Sequence, residues 1–342
     1  MIGLYIHIPF CKKKCNYCSF YSFVAPAKVQ TKYINKLIKD LQKHKKTKFS
    51  TLYIGGGTPS LLSEKQLEKL FLAIDKIKKI KTFKESTFES NPESLTINKI
   101  KLLKRFGFNR ITLGAQSFDN KTLKTIGRLH TSSKISQVFN NLKKHGLTNI
   151  NLDLMAGCFE DFETFKHSLS QIIKLSPSHI SVYGLSVEEG CYFFNKKQFP
   201  EESFTLKCLL EAKKQLQKAG YIHYEISNYC KKGKESLHNI NYWKNGEYIG
   251  LGDGATSYIN GTRFQDRFSE KLTGKEKQGE NLMLGLRMLT TGTKPIKTFE
   301  KEIRELKKLK LIEQKVGKIK LTPKAIFVSN QVFEYFVKPF KD

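Results

Sequence analysis

Gly3-Leu4-Tyr5-Ile6-His7-Ile8-Pro9-Phe10-Cys11-Lys12-Lys13-Lys14-Cys15-Asn16-Tyr17-Cys18 opens the chain with an apolar run that feeds a cysteine-rich loop. The run from Gly3 to Ile8 reads as a buried strand, and the loop after it carries thiols at Cys11, Cys15 and Cys18. Three thiolates at this spacing suit a cube of four irons and four sulfides in which one iron lacks a protein ligand. Such an open iron can chelate a small molecule, whereas four-thiolate clusters normally serve electron transfer. Zinc also takes clustered thiolates, but a closed structural site wants four ligands, usually in two separated pairs, and no second pair lies nearby. A disulfide framework suits the chain less, because seven cysteines in 342 residues are odd in number and sparse, with no secretory signal before them. A reducing, cytoplasmic setting follows. Cys158, Cys191, Cys208 and Cys230 are scattered and are expected as ordinary buried thiols.

At this length the chain exceeds what one core usually holds, so a large domain and a smaller one are expected. No apolar stretch approaches the roughly 18 residues that mark a membrane span. The formal charge of +29 would ordinarily suggest nucleic acid, yet of the 60 basic residues almost all are Lys, spread along nearly every helical segment. Arg is what base and phosphate recognition favours, so the lysines read as solvated faces and nucleic acid as a disfavoured partner.

Strand-like runs at 4–8, 51–54, 86–89, 110–113, 150–155 and 180–184 alternate with helical patterns at 29–45, 64–79, 96–106, 120–126, 133–145 and 162–175. Six strand-then-helix units predict an α/β fold, a parallel sheet with helices outside, curled as a partial (β/α)6 barrel; a doubly wound open sheet is the runner-up. In parallel barrels the site is built at the carboxyl ends of the strands. Those ends here carry the three cysteines, then Gly55-Gly56-Gly57-Thr58-Pro59, then Glu89 and Asn91, Gln116, and Ser186, while Asp153 adds an acid inside the fifth strand. Consecutive glycines let backbone approach a ligand closely, and Glu89 and Asp153 can accept hydrogen bonds from hydroxyls or an ammonium. Gln116 can satisfy a donor and an acceptor together.

The last third reads differently. A helix begins around 281–287, another covers 299–309, residues 311–321 alternate around Gly317 as a β-hairpin would, and a final helix is expected over 323–336. The expected organisation is 1–200 as the barrel with its cysteine loop, 201–274 as a connecting region, and 275–342 as a small α+β, winged-helix-like domain.

The Cys-x3-Cys-x2-Cys loop, the Gly-Gly-Gly-Thr-Pro turn, Glu89-Ser90-Asn91-Pro92, Gly114-Ala115-Gln116-Ser117-Phe118 and Asn151-Leu152-Asp153-Leu154-Met155 together resemble the radical S-adenosylmethionine (SAM) proteins of the coproporphyrinogen dehydrogenase and HemW group. The resemblance runs nearly the full length. It implies a [4Fe-4S] cluster on Cys11, Cys15 and Cys18 whose open iron chelates SAM, with reductive cleavage to methionine and a 5′-deoxyadenosyl radical. It also implies Tyr5 near the methionine part, Gly56, Gly57 and Thr58 at the amino group, and Glu89 at the nucleoside. Gln116, Arg128 and Asp153 match positions that contact a second SAM in the dehydrogenase.

Two branches of the group separate on particular residues. Dehydrogenases that oxidise coproporphyrinogen III carry a further Cys two positions after the third ligand, where this chain has Phe20, and an extended segment before the first strand. His238-Asn239-Ile240-Asn241-Tyr242-Trp243, flanked by Tyr224-Glu225-Ile226-Ser227-Asn228-Tyr229 and Tyr248-Ile249-Gly250-Leu251-Gly252, matches the His-Asn-x-x-Tyr-Trp signature of the heme-chaperone branch. That branch implies heme as cargo, acceptor hemoproteins and a cytosolic electron donor as partners, and is compatible with a homodimer. Within it His238 would be an axial ligand to heme iron, with Tyr242 and Trp243 as flat surfaces for the macrocycle; the other reading has His238 bonding a loop and the aromatics packing on the barrel. Two positions depart from relatives: Thr256 stands where His is usual, and Gly157-Cys158-Phe159-Glu160-Asp161 replaces a Gly-Leu-Pro-Gly-Gln turn.

Overall fold

Apolar residues at every second position of one strand after another leave each strand one face to bury, and amphipathic helices between them supply the cover. In the computed structural model, which describes residues 2–337, this gives β1 (Ile2–Ile8), α1 (Ala27–Gln42), β2 (Phe49–Gly56), α2 (Glu64–Ile77), β3 (Glu85–Ser90) and α3 (Ile97–Phe106). The alternation continues with β4 (Arg110–Gln116), α4 (Asn120–Thr125), α5 (Ser132–Lys144), β5 (Ile150–Ala156), α6 (Phe162–Leu175) and β6 (His179–Gly184). Helix starts are fixed locally: Ser63 and Gln66 form a capping box on α2, while Thr96, Asp119 and Asp161 cap α3, α4 and α6.

β1 to β6 pair in parallel in chain order. Leu4, Ile6, Leu52, Ile54, Phe88, Ile111, Leu113, Leu152, Leu154, Ile180 and Val182 belong to the main apolar core under the helices. Their neighbours along the strands, Tyr53, Glu89, Arg110, Thr112, Asn151, Asp153, His179, Ser181 and Tyr183, border a cavity on the opposite face. One face of the sheet is therefore dry and the other is a polar, concave lumen, the open partial barrel read from the sequence.

The segment after β6 does more than connect. It contains α7 (Tyr192–Asn195), α8 (Glu202–Lys218), β7 (Ile222–Glu225), β8 (Asn228–Cys230), α9 (Leu237–Trp243), β9 (Tyr248–Leu251), β10 (Thr256–Ile259), β11 (Thr262–Gln265) and β12 (Phe268–Lys271). β8 pairs antiparallel with β6, and β9 pairs parallel with β1, so this stretch extends the sheet at both ends to twelve strands. Cys208, Ala212 and Leu216 of α8 join the main core. A second apolar core, including Leu282, Leu286, Ile303, Leu306, Ile319 and Val332, holds α10 (Gly274–Leu286), α11 (Glu300–Lys308), the β13 (Ile312–Lys315) and β14 (Lys318–Leu321) hairpin and α12 (Ser329–Phe333). The helix expected over 323–336 is shorter than its pattern: a 3-10 turn at Ile326–Val328 precedes α12, and residues beyond 337 lie outside the described part. Among the described residues no helix is long and apolar enough to cross a membrane.

Candidate functional site

Three cavities open on the concave side of the sheet, and Phe20 and Glu89 border all three. The first, about 280 Å³, lies at the carboxyl ends of the strands and is bordered by Cys11, Cys15 and Cys18 together with Gly56, Gly57, Thr58, Glu89, Gln116 and Arg128. The residues singled out at the strand ends thus share one space. Among the described residues no three of His, Cys, Asp or Glu gather tightly enough to hold a single metal ion.

The thiols are held by named neighbours. Cys11 Sγ lies 3.5 Å from Thr58 Oγ1, and the Arg128 guanidinium donates to Cys15 Sγ at 3.6 Å. Arg128 also donates to Asn91 Oδ1 at 2.6 Å and to the Gly114 carbonyl at 2.8 Å, and Asn91 Nδ2 donates to Thr58 Oγ1 at 3.0 Å. The chain Cys15–Arg128–Asn91–Thr58–Cys11 ties the cysteine loop to the turn after β2. Burial pushes the Cys18 thiol above its ordinary range, so an electropositive group is what would hold it as thiolate.

The turn itself has no room for side chains. Gly56 has φ +114°, and a Cβ there would sit 2.7 Å from the His7 ring; at Gly57 it would sit 2.9 Å from the Phe10 carbonyl and 3.0 Å from Cys11 Sγ. Glu89 accepts from Tyr53 Oη at 2.5 Å and from the Gly56 amide at 3.1 Å. Burial raises its carboxyl from 4.5 to about 7, aided by Asp153 and opposed by the bonds from Tyr53 and Gly56. Gln116 sits at φ +67°, beyond a register shift of β4 against β5, which places its Oε1 to accept from Tyr183 Oη at 2.8 Å.

Tyr5 does not border the cluster-loop cavity. It faces a second space of about 660 Å³ whose wall includes Tyr21, Tyr242, Trp243, Tyr248, Tyr258 and Met283, with Thr256 beside them. Tyr5 Oη donates to His7 Nδ1 at 3.0 Å, since His7 Nε2 is spent on the Tyr21 carbonyl at 2.9 Å. Asp153 faces the third cavity, about 440 Å³, deeper in the lumen. It accepts from Asn151 Nδ2 at 2.7 Å, and burial raises its carboxyl.

His238 is where sequence and structure part. The imidazole is only 1% exposed and borders none of the three cavities. Both ring nitrogens are engaged at 2.8 Å, Nδ1 with Thr51 Oγ1 and Nε2 with Tyr242 Oη. The amides of Leu237 and His238 donate to Glu85 at 2.8 and 2.9 Å, so α9 is seated on the amino-terminal ends of β2 and β3, opposite the cysteine rim. An axial ligand needs a free nitrogen lone pair facing a cavity, and this geometry offers none; the ring's partners are a residue of β2 and one of α9 itself, neither of them in the loop that the other reading supposes. Of the signature, Tyr242 and Trp243 border the second cavity and Asn239 and Trp243 the third.

Sequence reasoning missed Tyr53, His7, Glu85 and the lumen pair Arg110 and Arg287. For Arg110 the signal was the polar residue at every second position in the first halves of β4 to β6. The altered turn after β5 keeps its sharpness through Gly157 at φ +79° and Phe159 at φ +63°, with Glu160 accepting from the Gly157 amide at 3.2 Å.

Residues 5–172 match the family model of the Radical SAM superfamily. The chain is 35% identical to the heme chaperone HemW of Lactococcus lactis over 97% of its own length and 96% of the relative's. It is 33% identical to the heme chaperone HemW of Bacillus subtilis over 98% and 99%. In structure it is similar to coproporphyrinogen III oxidase (HemN) from Escherichia coli, a radical SAM enzyme, with a TM-score of 0.82 over 98% of this chain and 90% of that one. At 19% identity that likeness is one of fold.

Proposed function

The chain belongs to the Radical SAM superfamily and, within it, to the heme chaperone HemW family, and from that premise we propose that it binds heme and delivers it to acceptor hemoproteins. On this reading Cys11, Cys15 and Cys18 hold a [4Fe-4S] cluster and the adjoining rim holds SAM. The observation that carries it is the single cavity shared by the three thiols, the Gly56-Gly57-Thr58 turn, Glu89 and Arg128. A cluster on three thiolates supplies an open iron for the amino and carboxylate groups of SAM and a source of one electron.

The chain's own part is positioning. Thr58 and Arg128 orient and partly neutralise the Cys11 and Cys15 sulfurs, and Gly57 leaves the space in which Cys11 sits. Glu89, held by Tyr53 and Gly56, accepts from ribose hydroxyls when ionised. Gln116, its carbonyl oxygen taken by Tyr183, keeps its amide N–H for the ligand. The second cavity, walled by aromatic rings and Met283, suits the flat apolar face of a macrocycle. His238 serves as the anchor of α9.

Iron assay and electron paramagnetic resonance on anaerobically reconstituted protein test the cluster: Cys11→Ala, Cys15→Ala and Cys18→Ala each abolish the reduced-state signal, and an intact signal in all three sinks the assignment. Heme titration followed by absorbance tests the cargo. The same Soret position in wild type and His238→Gln is expected; a shift to the spectrum of a lost nitrogen ligand would restore His238 as ligand. Turnover of coproporphyrinogen III to protoporphyrinogen IX would move the reading to the dehydrogenase branch.

A further inference from the structure

The deep lumen cavity is bordered by residues with three N–H atoms that the fold leaves without hydrogen-bond acceptors and one carboxylate oxygen, Glu225 Oε2, left without a donor. Arg110, 2% exposed at the start of β4, donates only to the Lys234 carbonyl at 3.3 Å, and its Nε has no partner. Among the described residues no carboxylate lies within ion-pair distance of it. Trp243 Nε1 is buried with no acceptor, and so is Nε of Arg287, whose guanidinium stacks 4.1 Å over the Trp243 ring. All three residues border the same cavity. A buried donor left unmatched costs about 1 to 3 kcal/mol, and a buried guanidinium more, so three together mark a place shaped for an acceptor.

The charge balance says which acceptor. Glu225, fully buried, faces Arg287 with Oε2 3.6 Å from Nη2, and Asp153 stands in the same wall. With Glu89, which borders the same cavity, these make three acidic neighbours that would repel a phosphate dianion, while a single negative charge on a planar group matches a guanidinium fork and an indole N–H. The cavity shares Phe20, Glu89 and Trp243 with the aromatic-walled one. We infer that the lumen is a carboxylate subsite, with Arg110, Arg287 and Trp243 receiving a propionate of the macrocycle whose ring lies among the aromatic residues above. The propionate as source rests on the heme reading; the carboxylate chemistry does not.

Hemin and its dimethyl ester, titrated by absorbance in the same detergent buffer, differ only in the carboxylates. Wild type is expected to bind hemin at least about tenfold more tightly than the ester, the worth of a charge-assisted pair. Arg110→Gln reduces the preference to about twofold, and Trp243→Phe, which keeps a ring and removes the N–H, lowers it about threefold. Equal binding of the two porphyrins by wild type overturns the propionate assignment and leaves heme binding standing. Binding of neither overturns the heme reading, and the lumen is then read with succinate through its own reporter. The chain has one Trp, hence one indole N–H resonance. A saturable succinate-induced shift, absent in Arg110→Gln, supports the carboxylate site, whereas an unmoved resonance shows a water-filled lumen and overturns it.

Discussion

Glu89 is ordinary in sequence and unusual in place, and substituting Glu89→Gln converts that into a pH dependence. Its carboxyl titrates in the folded chain at about 7 instead of 4.5 because burial disfavours the charge and Asp153 adds to it, beyond what Tyr53 and Gly56 return. With the folded value above the unfolded one, the native state binds the proton more tightly. The group's favourable contribution is complete below about 4.5 and is lost as pH rises through 7. A span of 2.5 between those values, at about 1.36 kcal/mol each, is about 3 kcal/mol, and glutamine titrates nowhere. Urea unfolding of the cluster-free protein, followed by fluorescence of Trp243 on α9 and repeated between about pH 5 and 8, should show the variant gaining roughly 2 to 3 kcal/mol on wild type over that interval. A difference that stays flat within about 0.5 kcal/mol would refute the reasoning, because it would mean that Glu89 is solvated, or already ionised, in the fold.

Two further perturbations reach other parts of the construction. Gly56→Ala forces a Cβ to 2.7 Å from the His7 ring at φ +114°, so the unfolding free energy should fall by about 2 to 5 kcal/mol, from the strained backbone and the overpacking together; a urea midpoint equal to wild type would mean the turn relaxes freely. Burial lowers the His238 imidazole from 6.5 to about 3; with the folded value depressed, its contribution is full above 6.5 and is lost as pH falls through 3. His238→Gln should therefore flatten the acid limb of the stability curve by on the order of 4 kcal/mol, read from unfolding midpoints between about pH 3 and 7.

The order of strands and helices was legible because each β/α unit declares itself locally: a short apolar run, a cap such as Ser63 or Asp161, then a helical stripe. The rim was legible for a related reason, since the chemistry sits at the carboxyl ends of strands and a strand end can be located from sequence. Cys11, Gly57, Glu89, Gln116 and Arg128 accordingly share one cavity. What stayed hidden depends on which way a side chain points. Arg110 stands in the sequence only as the first residue of a strand-like run, but its pairing with Thr87 and the bordering of the lumen by Thr112, two residues on, put it on the concave face. Arg-Ile-Thr-Leu, Asn-Leu-Asp-Leu and His-Ile-Ser-Val alternate with period two, which in a parallel sheet means a wet face. Asp153 is one member of that row rather than an isolated acid.

The His-Asn-x-x-Tyr-Trp stretch shows why a signature's position matters more than its residue types. His and Tyr near a macrocycle suggest ligation, yet His238 and Tyr242 bond each other, Thr51 takes the remaining imidazole nitrogen, and Glu85 receives the first-turn amides of α9. These contacts fix one end of a seven-residue helix, and the other end then delivers Trp243 to the boundary of two cavities. The amino end of the barrel is thereby plugged while the rim stays open, where Phe20, 70% exposed, borders all three spaces with Glu89. A porphyrin held between them would touch the cysteine loop through Phe20 and the plug through Trp243. On the proposed reading, such a porphyrin needs no iron ligand from His238, whose nitrogens are already bonded to Thr51 and Tyr242.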